Sequence, residues 1–384
     1  MGSRRTDLHD PELSSSKRGR DLRLDGIRGL AVLLVLAYHT PTPVRLLPAD
    51  SRLLPGGWVG VDVFFVLSGY LITHLLIREL RSTGRIDRRA FYGRRLRRLG
   101  PALGVLLAVW VLASLTGLLP VLQFPTGAPA SAWTLFVPVV GLLTLCFNWV
   151  IALDGFVPSP YGPQHLWTLS IEEQFYLVWP AVIVFVAARS RQAERTLGRL
   201  VLAAIAYTVL ITLVLQYLTA LRGLIYASSP TRSLGLLVGA AIAFRAPRKL
   251  PRGLGELGLL TILACAVFLR DNRPELTPWM IFATCLASAA ILTSHSAWLE
   301  RVLTLRWLRY AGRRSYALYL WSIPLEYAAV VHLGPTWATT VVVPIATFVL
   351  AELSWRVVER RFLSTRSGGR RATRQPVLQP APTA

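Results

Sequence analysis

Cysteines are scarce in this sequence, which excludes several kinds of stabilised fold. Only three occur among 384 residues, Cys146, Cys265 and Cys285, and all lie inside apolar stretches. Their spacing fits neither a metal site nor a disulfide framework, so no metal cofactor is expected. No cleavable signal peptide, internal repeat or long extramembrane insertion is recognisable either. This organisation predicts three parts: a disordered basic tail 1–21, a membrane domain 22–362, and a disordered basic tail 363–384.

Acidic residues are also few, with 20 Asp and Glu against 42 Lys and Arg and a net charge of +22. In a soluble protein such an excess would suggest nucleic acid as the partner. Here 53% of the residues are hydrophobic and the mean hydropathy is +0.47. The basic residues lie in short segments between apolar runs, where they fix membrane topology. The composition therefore predicts a multi-pass protein of the cell membrane that contacts the lipid bilayer and binds no nucleic acid.

The basic loops between the apolar runs decide which runs are predicted to cross the membrane. Placing every basic loop on the cytoplasmic side requires that one of the runs 133–151 and 166–188 does not cross. We expect 133–151 to be re-entrant or interfacial because it contains Pro138, Gly141 and Asn148. The predicted fold is an all-α polytopic membrane protein with ten transmembrane helices, this one re-entrant or interfacial segment, and both termini cytoplasmic. An eleven-span arrangement remains the alternative.

The first apolar helix carries charges that a lipid-facing span does not need. It runs from Leu24 to Thr40 and contains Asp25 and Arg28 near its start and His39 near its end. Arg28 and His39 are eleven residues apart, which places them on one helix face, roughly 16 Å apart along the axis. Ionisable residues at two depths of one membrane helix predict a site that runs through the bilayer. Alternatively, His39 is an interfacial histidine bonded to a loop carbonyl.

The predicted topology sorts other polar residues into an outer and an inner group. The outer group combines a histidine, three carboxylates and an arginine: His39, Asp62, Glu172, Glu173 and Arg232. A histidine can accept a proton from an alcohol near neutral pH, and a carboxylate can fix its tautomer. The inner group consists of four arginines: Arg94, Arg95, Arg97 and Arg98. Guanidinium groups suit phosphates through bidentate hydrogen bonds, so the pattern predicts proton-transfer chemistry outside and a phosphorylated ligand inside.

Each group also has a purely structural interpretation. The stretch from Ser170 to Glu173 fits a capping box, in which Glu173 only caps its helix. The inner-group arginines can serve as a topology anchor against anionic lipid. Asp62 can be the partner of a helix dipole. At the level of sequence these alternatives stay open.

Five sequence blocks occur in an order that resembles one known family. They are LDGIRGLAVLLVLAYH, GGWVGVDVFFVLSGYLIT, FYGRRLRRLGP, HLWTLSIEEQFYLVWP and RSYALYLWSIPL. Together they resemble the acyltransferase 3 family of integral membrane acyltransferases over residues 22–362. Five ordered blocks make the resemblance specific, although any single block would be a weak signal.

The resemblance implies transfer of an acyl group, commonly acetyl, from cytoplasmic acyl-CoA to a hydroxyl of a glycan, glycolipid or glycosylated metabolite. It also implies a ten-helix membrane core and places the family's functional positions on Arg28, His39, Glu172, Glu173 and the inner-group arginines. Longer relatives carry an extra extracytoplasmic hydrolase-like domain, for which this chain has no room, so a stand-alone form is expected. Many relatives read LYLWH where this chain has Ser322, which cannot act as a base.

These expectations combine into one mechanistic hypothesis with acetyl-CoA as the expected donor. The inner-group arginines bind the CoA head group, with Arg28 at the entrance. His39 either removes the acceptor's hydroxyl proton or carries the acyl group covalently, and Glu172, Glu173 or Asp62 assists it. Further candidates for substrate binding are Arg232, Ser68, Tyr70, Tyr316 and Tyr319.

Two other classes of function fit the same membrane helices. A transporter or flippase of a lipid-linked or acylated substrate would also contain ten helices and intramembrane charges. Against it, no inverted repeat and no matching pair of broken helices is found in the two halves. A membrane scaffold or sensor is the third possibility, and it predicts no loss of function when Arg28 and His39 are both replaced.

Overall fold

Helices make up the regular structure of the part of the chain that is described. The computed structural model describes residues 21–40, 42–43, 52–116, 132–153, 164–218, 223–244, 251, 253–269 and 276–364. Within these ranges there is no β-strand, which agrees with the predicted all-α class. The predicted tails, 1–21 and 363–384, fall almost entirely outside the described residues.

The described helices are numbered along the chain. In chain order they are α1 (Leu22–His39), α2 (Gly60–Thr83), α3 (Arg88–Leu115), α4 (Ala132–Leu143), α5 (Phe147–Leu153), α6 (Trp167–Arg189), α7 (Ala193–Tyr217), α8 (Gly223–Ala227), α9 (Ser229–Arg232), α10 (Leu234–Ala243), α11 (Leu254–Phe268), α12 (Thr277–Thr293), α13 (Ala297–Leu303), α14 (Arg306–Arg313), α15 (Ser315–Leu333), α16 (Trp337–Ser354) and α17 (Arg360–Ser364). Two 3₁₀ turns, Gly57–Val59 and Gln164–Leu166, lead into α2 and α6, and a π-helical turn, Trp355–Glu359, joins α16 to α17.

Five of the described helical segments are long and apolar enough to cross a membrane. They contain α2, α3, α6, α7 and α16, and the pair α12 and α13, bent by 104°, is a sixth candidate if it counts as one span. Helix α1 has 18 residues, about 27 Å at 1.5 Å per residue, but it carries Arg23, Asp25 and Arg28. A multi-pass membrane protein is therefore supported. The predicted ten crossings and cytoplasmic termini stay predictions.

Helix α3 begins earlier than its apolar run predicts. The sequence predicts a span from Leu99 to Leu119, whereas the helix runs from Arg88 to Leu115. The Asp87 carboxylate caps it by accepting a hydrogen bond from the Ala90 amide at 2.8 Å. Arginine is a favourable helix former, so the basic segment continues the helix instead of preceding it. The inner-group arginines thus lie on an ordered helix rather than in a loop.

Segment 133–151 forms two short helices in place of one span. Helix α4 has 12 residues and contains Pro138, and α5 has seven, so neither alone can cross a hydrocarbon core of about 30 Å. Between them Leu145 adopts a left-handed conformation with φ of 61°. The Gln174 side-chain amide donates to the Asn148 side-chain oxygen at 2.9 Å, which ties α5 to α6. The re-entrant or interfacial placement of 133–151 stays a prediction.

Close backbone packing fixes the positions of α1 and α2, the helices that carry Arg28 and Ser68. A Cβ atom at Gly29 would lie 1.9 Å from the Leu308 carbonyl oxygen, so only glycine lets α1 approach α14 there. A Cβ atom at Gly69 would lie 1.9 Å from the Leu236 carbonyl oxygen, between α2 and α10. Arg28 and Ser68 are the immediate neighbours of these glycines. Their positions are therefore set by backbone contact between helices.

Candidate active site

A central cavity lies where α1, α2, α3, α6 and α15 meet. Its volume is about 90 Å³. It is lined by apolar groups and by cationic, acidic and hydroxyl groups. The polar lining residues are Arg28, Ser68, Arg95, Arg98, Thr168, Glu172, Tyr176, Ser315, Tyr316 and Tyr319. Of the five helices, α1, α3 and α6 thus bring one carboxylate and three guanidinium groups to a single space.

The carboxylate of the central cavity is Glu172. Its Oε1 accepts a hydrogen bond from the Ser68 hydroxyl at 2.8 Å. It also interacts electrostatically with Arg28, Arg95 and Arg98. One negative charge facing three positive charges leaves the cavity positive, so it attracts an anionic or polarised group.

A second cavity is lined mainly by arginines and apolar side chains and has a volume of about 700 Å³. Its lining residues are Ile72, Leu75, Leu76, Arg78, Glu79, Ser82, Phe91, Arg94, Arg95, Arg97, Arg98 and Phe362. Arg94 lies near Glu79, with an N–O distance of 3.9 Å. Arg95 and Arg98 line both this arginine-rich cavity and the central cavity. The two cavities are therefore neighbours that share two cations.

His39 lies at the end of α1 and lines neither of these cavities. Its Nδ1 is 2.8 Å from the Val35 carbonyl oxygen. A carbonyl oxygen can only accept, so Nδ1 carries the hydrogen and the neutral ring has its lone pair on Nε2. The expected single cavity shared by Arg28 and His39 is not formed among the described residues. His39 instead interacts electrostatically with His165, the residue before Leu166 at the entry to α6.

Asp62 and Arg232 form a pair with each other inside the protein. The distance from Arg232 Nη1 to Asp62 Oδ1 is 3.2 Å, and the side chains are 0% and 1% exposed. Four aromatic rings surround the guanidinium group, with centroids 5.5–5.8 Å away: Trp58, Phe65, Trp167 and Tyr226. Neither Asp62 nor Arg232 lines a described cavity. None of the polar side-chain atoms of either group makes a well-formed hydrogen bond with a described residue. The predicted catalytic role of Asp62 and substrate-binding role of Arg232 stay predictions.

The predicted division into an outer and an inner group is wrong for Glu172. It was placed with His39, yet it shares the central cavity with Arg28 and two inner-group arginines. The sequence prediction rests only on the position of Glu172 near the start of its helix. That position does not show which other helices surround the side chain. Glu173 interacts with Arg95 and Glu172 but does not line the central cavity.

The three predicted tyrosines are placed differently. The Tyr316 hydroxyl donates to the Leu99 carbonyl oxygen at 2.8 Å and lines the central cavity. Tyr319 lines the same cavity, and its hydroxyl lies 2.6 Å from the Thr168 hydroxyl. Tyr70 instead stacks on His74 with a centroid distance of 5.7 Å and lines none of the described cavities. Substrate binding by Tyr70 thus has no support from this position.

Several polar residues of this region were not predicted from the sequence. They are His165, Thr168, Tyr176 and Ser315. All four lie inside the blocks HLWTLSIEEQFYLVWP and RSYALYLWSIPL, so membership of those blocks was the signal available. Ser322 is buried and donates to the Tyr319 carbonyl oxygen at 3.1 Å.

Comparison with known proteins decides the family. The model of a family described as an acyltransferase domain matches residues 21–355. The chain belongs to this acyltransferase family. Membership confirms the predicted class, a multi-pass membrane enzyme that transfers acyl groups, and the match covers all the residues of both cavities except Phe362. No solved structure matches the chain.

Curated relatives of this family member come from several bacteria. It is 33% identical over 362 residues to the peptidoglycan O-acetyltransferase OatA of Listeria monocytogenes, covering 88% of this chain and 54% of that one. It is 33% identical to the putative peptidoglycan O-acetyltransferase YrhL of Bacillus subtilis, with the same coverage. It is 31% identical to the O-acetyltransferase OatA of Staphylococcus aureus, covering 88% of this chain and 56% of that one. The chain spans about half the length of these relatives.

Proposed function

We propose that this protein is a membrane O-acetyltransferase that moves an acetyl group from cytoplasmic acetyl-CoA to a glycan hydroxyl. The observation that carries the proposal is the pair of neighbouring cavities that share Arg95 and Arg98. One cavity suits the head group of the donor and the other suits its reactive end. The alternative class, a transporter, does not need a small polar chamber beside a large arginine-rich one.

The arginine-rich cavity is the proposed site of the CoA head group. Its volume of about 700 Å³ lies within the range of small-molecule sites. Five arginines offer bidentate hydrogen bonds to phosphates: Arg78, Arg94, Arg95, Arg97 and Arg98. Phe91 and Phe362 supply aromatic surface for a base in the same cavity. Because basic segments favour the cytoplasmic side, a cytoplasmic donor fits this placement.

The central cavity is the proposed site of the thioester. Its guanidinium and hydroxyl groups can meet the thioester carbonyl, and its apolar side chains can meet the acyl carbons. Arg28 faces this space, and a guanidinium group stabilises the negative charge that develops on the thioester oxygen during attack. Glu172, held by Ser68, limits the excess of positive charge. The names of the relatives support acetyl as the transferred group.

His39 is the proposed base for the acceptor. Its Nδ1–Val35 hydrogen bond leaves Nε2 as the nitrogen that can take the hydroxyl proton. The proposal therefore requires the acceptor to lie between His39, which does not line the central cavity, and the thioester within that cavity. The acceptor oxygen bonds to the carbonyl carbon as the carbon–sulfur bond breaks, and CoA leaves as its thiolate. A covalent route, in which His39 carries the acetyl group before the acceptor arrives, uses the same nitrogen. The names of the relatives support a peptidoglycan-type glycan as the acceptor.

The proposal is tested with purified protein in lipid nanodiscs, acetyl-CoA and a soluble peptidoglycan fragment. Thiol release is followed spectroscopically and the acetylated glycan by mass spectrometry. We expect turnover by the wild type, and loss of at least about 100-fold in His39→Ala, the size of a missing general base. The matched control is His332→Gln, an exposed histidine at the end of α15.

The outcomes separate the candidate functions. Thiol release and glycan acetylation that both depend on His39 support the acetyltransferase. Binding or movement of a lipid-linked glycan without consumption of the thioester would overturn it in favour of a transporter. Retained turnover in His39→Ala would remove His39 from the mechanism, and that variant's elution in size-exclusion chromatography establishes whether it is folded.

A further inference from the structure

A third cavity lies between α2 and α10, and the proposed mechanism does not use it. Its volume is about 280 Å³. The residues that line it are His74, Ile77, Arg78, Arg81, Ser82 and Ala243. We call it the α2–α10 cavity. No acidic residue is among the described residues of its lining, so its two arginines give this space a positive potential.

The nitrogen-bearing side chains of the α2–α10 cavity all come from one face of α2. His74, Arg78 and Arg81 are spaced by four and then three positions, which places them on the same side of the helix. All three are exposed. Tyr70 stacks on the His74 ring with a centroid distance of 5.7 Å, and the Glu194 carboxylate accepts a hydrogen bond from Arg81 Nε at 2.6 Å. Neighbouring residues therefore hold two of the three side chains in place.

Arg78 lies between His74 and Arg81 along this face and differs from both. It makes no hydrogen bond and no ion pair with any residue in the described ranges. A guanidinium group offers two parallel N–H donors, which is the geometry that a phosphate accepts. An anionic group bound between His74 and Arg81 would therefore give Arg78 the counter-charge that the described part of the protein does not supply.

The position of the α2–α10 cavity along α2 matches the depth of lipid phosphates. Helix α2 belongs to a segment that is long and apolar enough to cross a membrane. At 1.5 Å per residue it rises about 27 Å from Gly60 to Arg78 and about 32 Å to Arg81, and a hydrocarbon core is about 30 Å thick. A helix that enters the core near Gly60 thus brings both arginines to the boundary where head groups begin. Ile77 and Ala243 provide apolar surface beside them.

We propose that the α2–α10 cavity binds the phosphate of an anionic membrane lipid such as phosphatidylglycerol. Arg78 and Arg81 donate charge-assisted hydrogen bonds to the phosphate oxygens, and His74 donates one more. The acyl chains extend along the apolar surface of α2 into the bilayer. The basic end of the helix favours the cytoplasmic leaflet, where anionic lipids attract arginines. Lipid binding requires no thioester, so the inference does not depend on the proposed acetyl transfer.

The test is native mass spectrometry of the detergent-purified full chain with added phosphatidylglycerol or phosphatidylcholine. The variant combines His74→Gln with Arg81→Gln, at two positions that line the α2–α10 cavity but not the arginine-rich cavity. The matched control combines His332→Gln with Arg301→Gln, which removes the same groups from exposed positions on α15 and α13. We expect the wild type and the control to retain phosphatidylglycerol at least about fivefold more than phosphatidylcholine, and the variant to lose this preference.

A second variant keeps the test decisive if the double variant does not elute as a folded protein in size-exclusion chromatography. Ala243→Asp places a carboxylate in the lining beside the same cations and should also abolish the preference for the anionic lipid. A preference equal to that of the wild type in a folded form of either variant would overturn the proposal.

Two further measurements separate a lipid from other phosphates, since Arg78 and Ser82 also line the arginine-rich cavity. The affinity for CoA, measured by calorimetry in phosphatidylcholine nanodiscs, should be the same in the wild type and in the variant with His74→Gln and Arg81→Gln. A loss of CoA affinity with unchanged lipid retention would assign the α2–α10 cavity to the donor and overturn the proposal. Displacement of phosphatidylglycerol from the wild type by millimolar inorganic phosphate would also overturn it, in favour of a site for free phosphate.

Discussion

Two arginines of the helical core, Arg232 and Arg98, have opposite surroundings. Arg232 faces one carboxylate, Asp62, at 3.2 Å and is 0% exposed inside a box of aromatic rings. Arg98 lies with a second cation, Arg95, in a cavity whose carboxylate is Glu172. It also reaches a larger cavity that is lined by further arginines. The first arginine has its counter-charge within the protein, whereas the second belongs to a cluster with more cations than anions.

The difference separates stabilising charges from binding charges. In a buried ion pair each group is the counter-charge of the other, and removing one member leaves the other charge buried without a partner. A cluster of cations around a cavity keeps a positive potential that an anionic ligand can satisfy. We therefore propose that Arg232 stabilises the fold and that Arg98 contributes to donor binding. Substitutions in the Asp62–Arg232 pair and in the Arg95–Arg98 pair distinguish a role in stability from a role in binding.

The largest effect is expected from Asp62→Asn. The substitution keeps the side-chain volume but leaves the guanidinium group of Arg232 buried without its counter-charge. The free energy of unfolding should fall by about 3–5 kcal/mol, the usual cost of breaking a buried pair. Chemical unfolding of the detergent-purified protein measures it.

The double variant Asp62→Leu with Arg232→Met distinguishes structure from function at this pair. Apolar side chains of similar volume often replace a buried pair at little cost, so most of the lost stability should return. Acetyl transfer should return with it. A double variant that is stable but inactive would contradict our assignment and make Arg232 a substrate-binding residue, as the sequence predicted.

The next effect is expected from Arg95→Gln combined with Arg98→Gln. Removing the two shared cations should raise KM for acetyl-CoA about 100-fold, equivalent to about 2.7 kcal/mol. The free energy of unfolding should change little, because the two guanidinium groups that are removed carry positive charges that repel each other. Steady-state kinetics and unfolding are measured on the same preparation, with Arg301→Gln, an exposed arginine of α13, as the control. An unchanged KM would leave the arginines as a topology anchor only.

Sequence reasoning located the main helices but not the contacts between them. The predicted helix 24–40 matches Leu22–His39 closely, and 166–188 matches Trp167–Arg189, because long apolar runs define both. The sequence predicts too late a start for α3, because the helix that Asp87 caps begins with a basic segment instead of an apolar one. Which cation meets which carboxylate depends on residues far apart in sequence. Asp62 and Arg232, which are 170 positions apart, carry no local signal of their pairing.

A smaller effect is expected from Glu172→Gln. Glutamine can still accept a hydrogen bond from Ser68 but removes the only carboxylate that lines the described central cavity. The extra net positive charge should leave KM for acetyl-CoA unchanged or lower, while kcat falls about tenfold because the charge balance around the thioester is altered. Glu173→Gln, which removes a carboxylate outside the cavity lining, should lower kcat less. Equal losses would show that the two glutamates act together.

The smallest effect is expected from Glu194→Gln, which breaks an ion pair at the protein surface. Arg81 Nη2 lies 2.5 Å from Glu194 Oε2, closer than the atoms of the buried pair, but the side chains are 62% and 37% exposed. Water and salt screen such a pair, so the free energy of unfolding should fall by less than about 1 kcal/mol. The difference from wild type should shrink further at about 0.5 M salt. A loss as large as that of Asp62→Asn would mean that separation between the charges, and not burial, decides what an ion pair contributes in this protein.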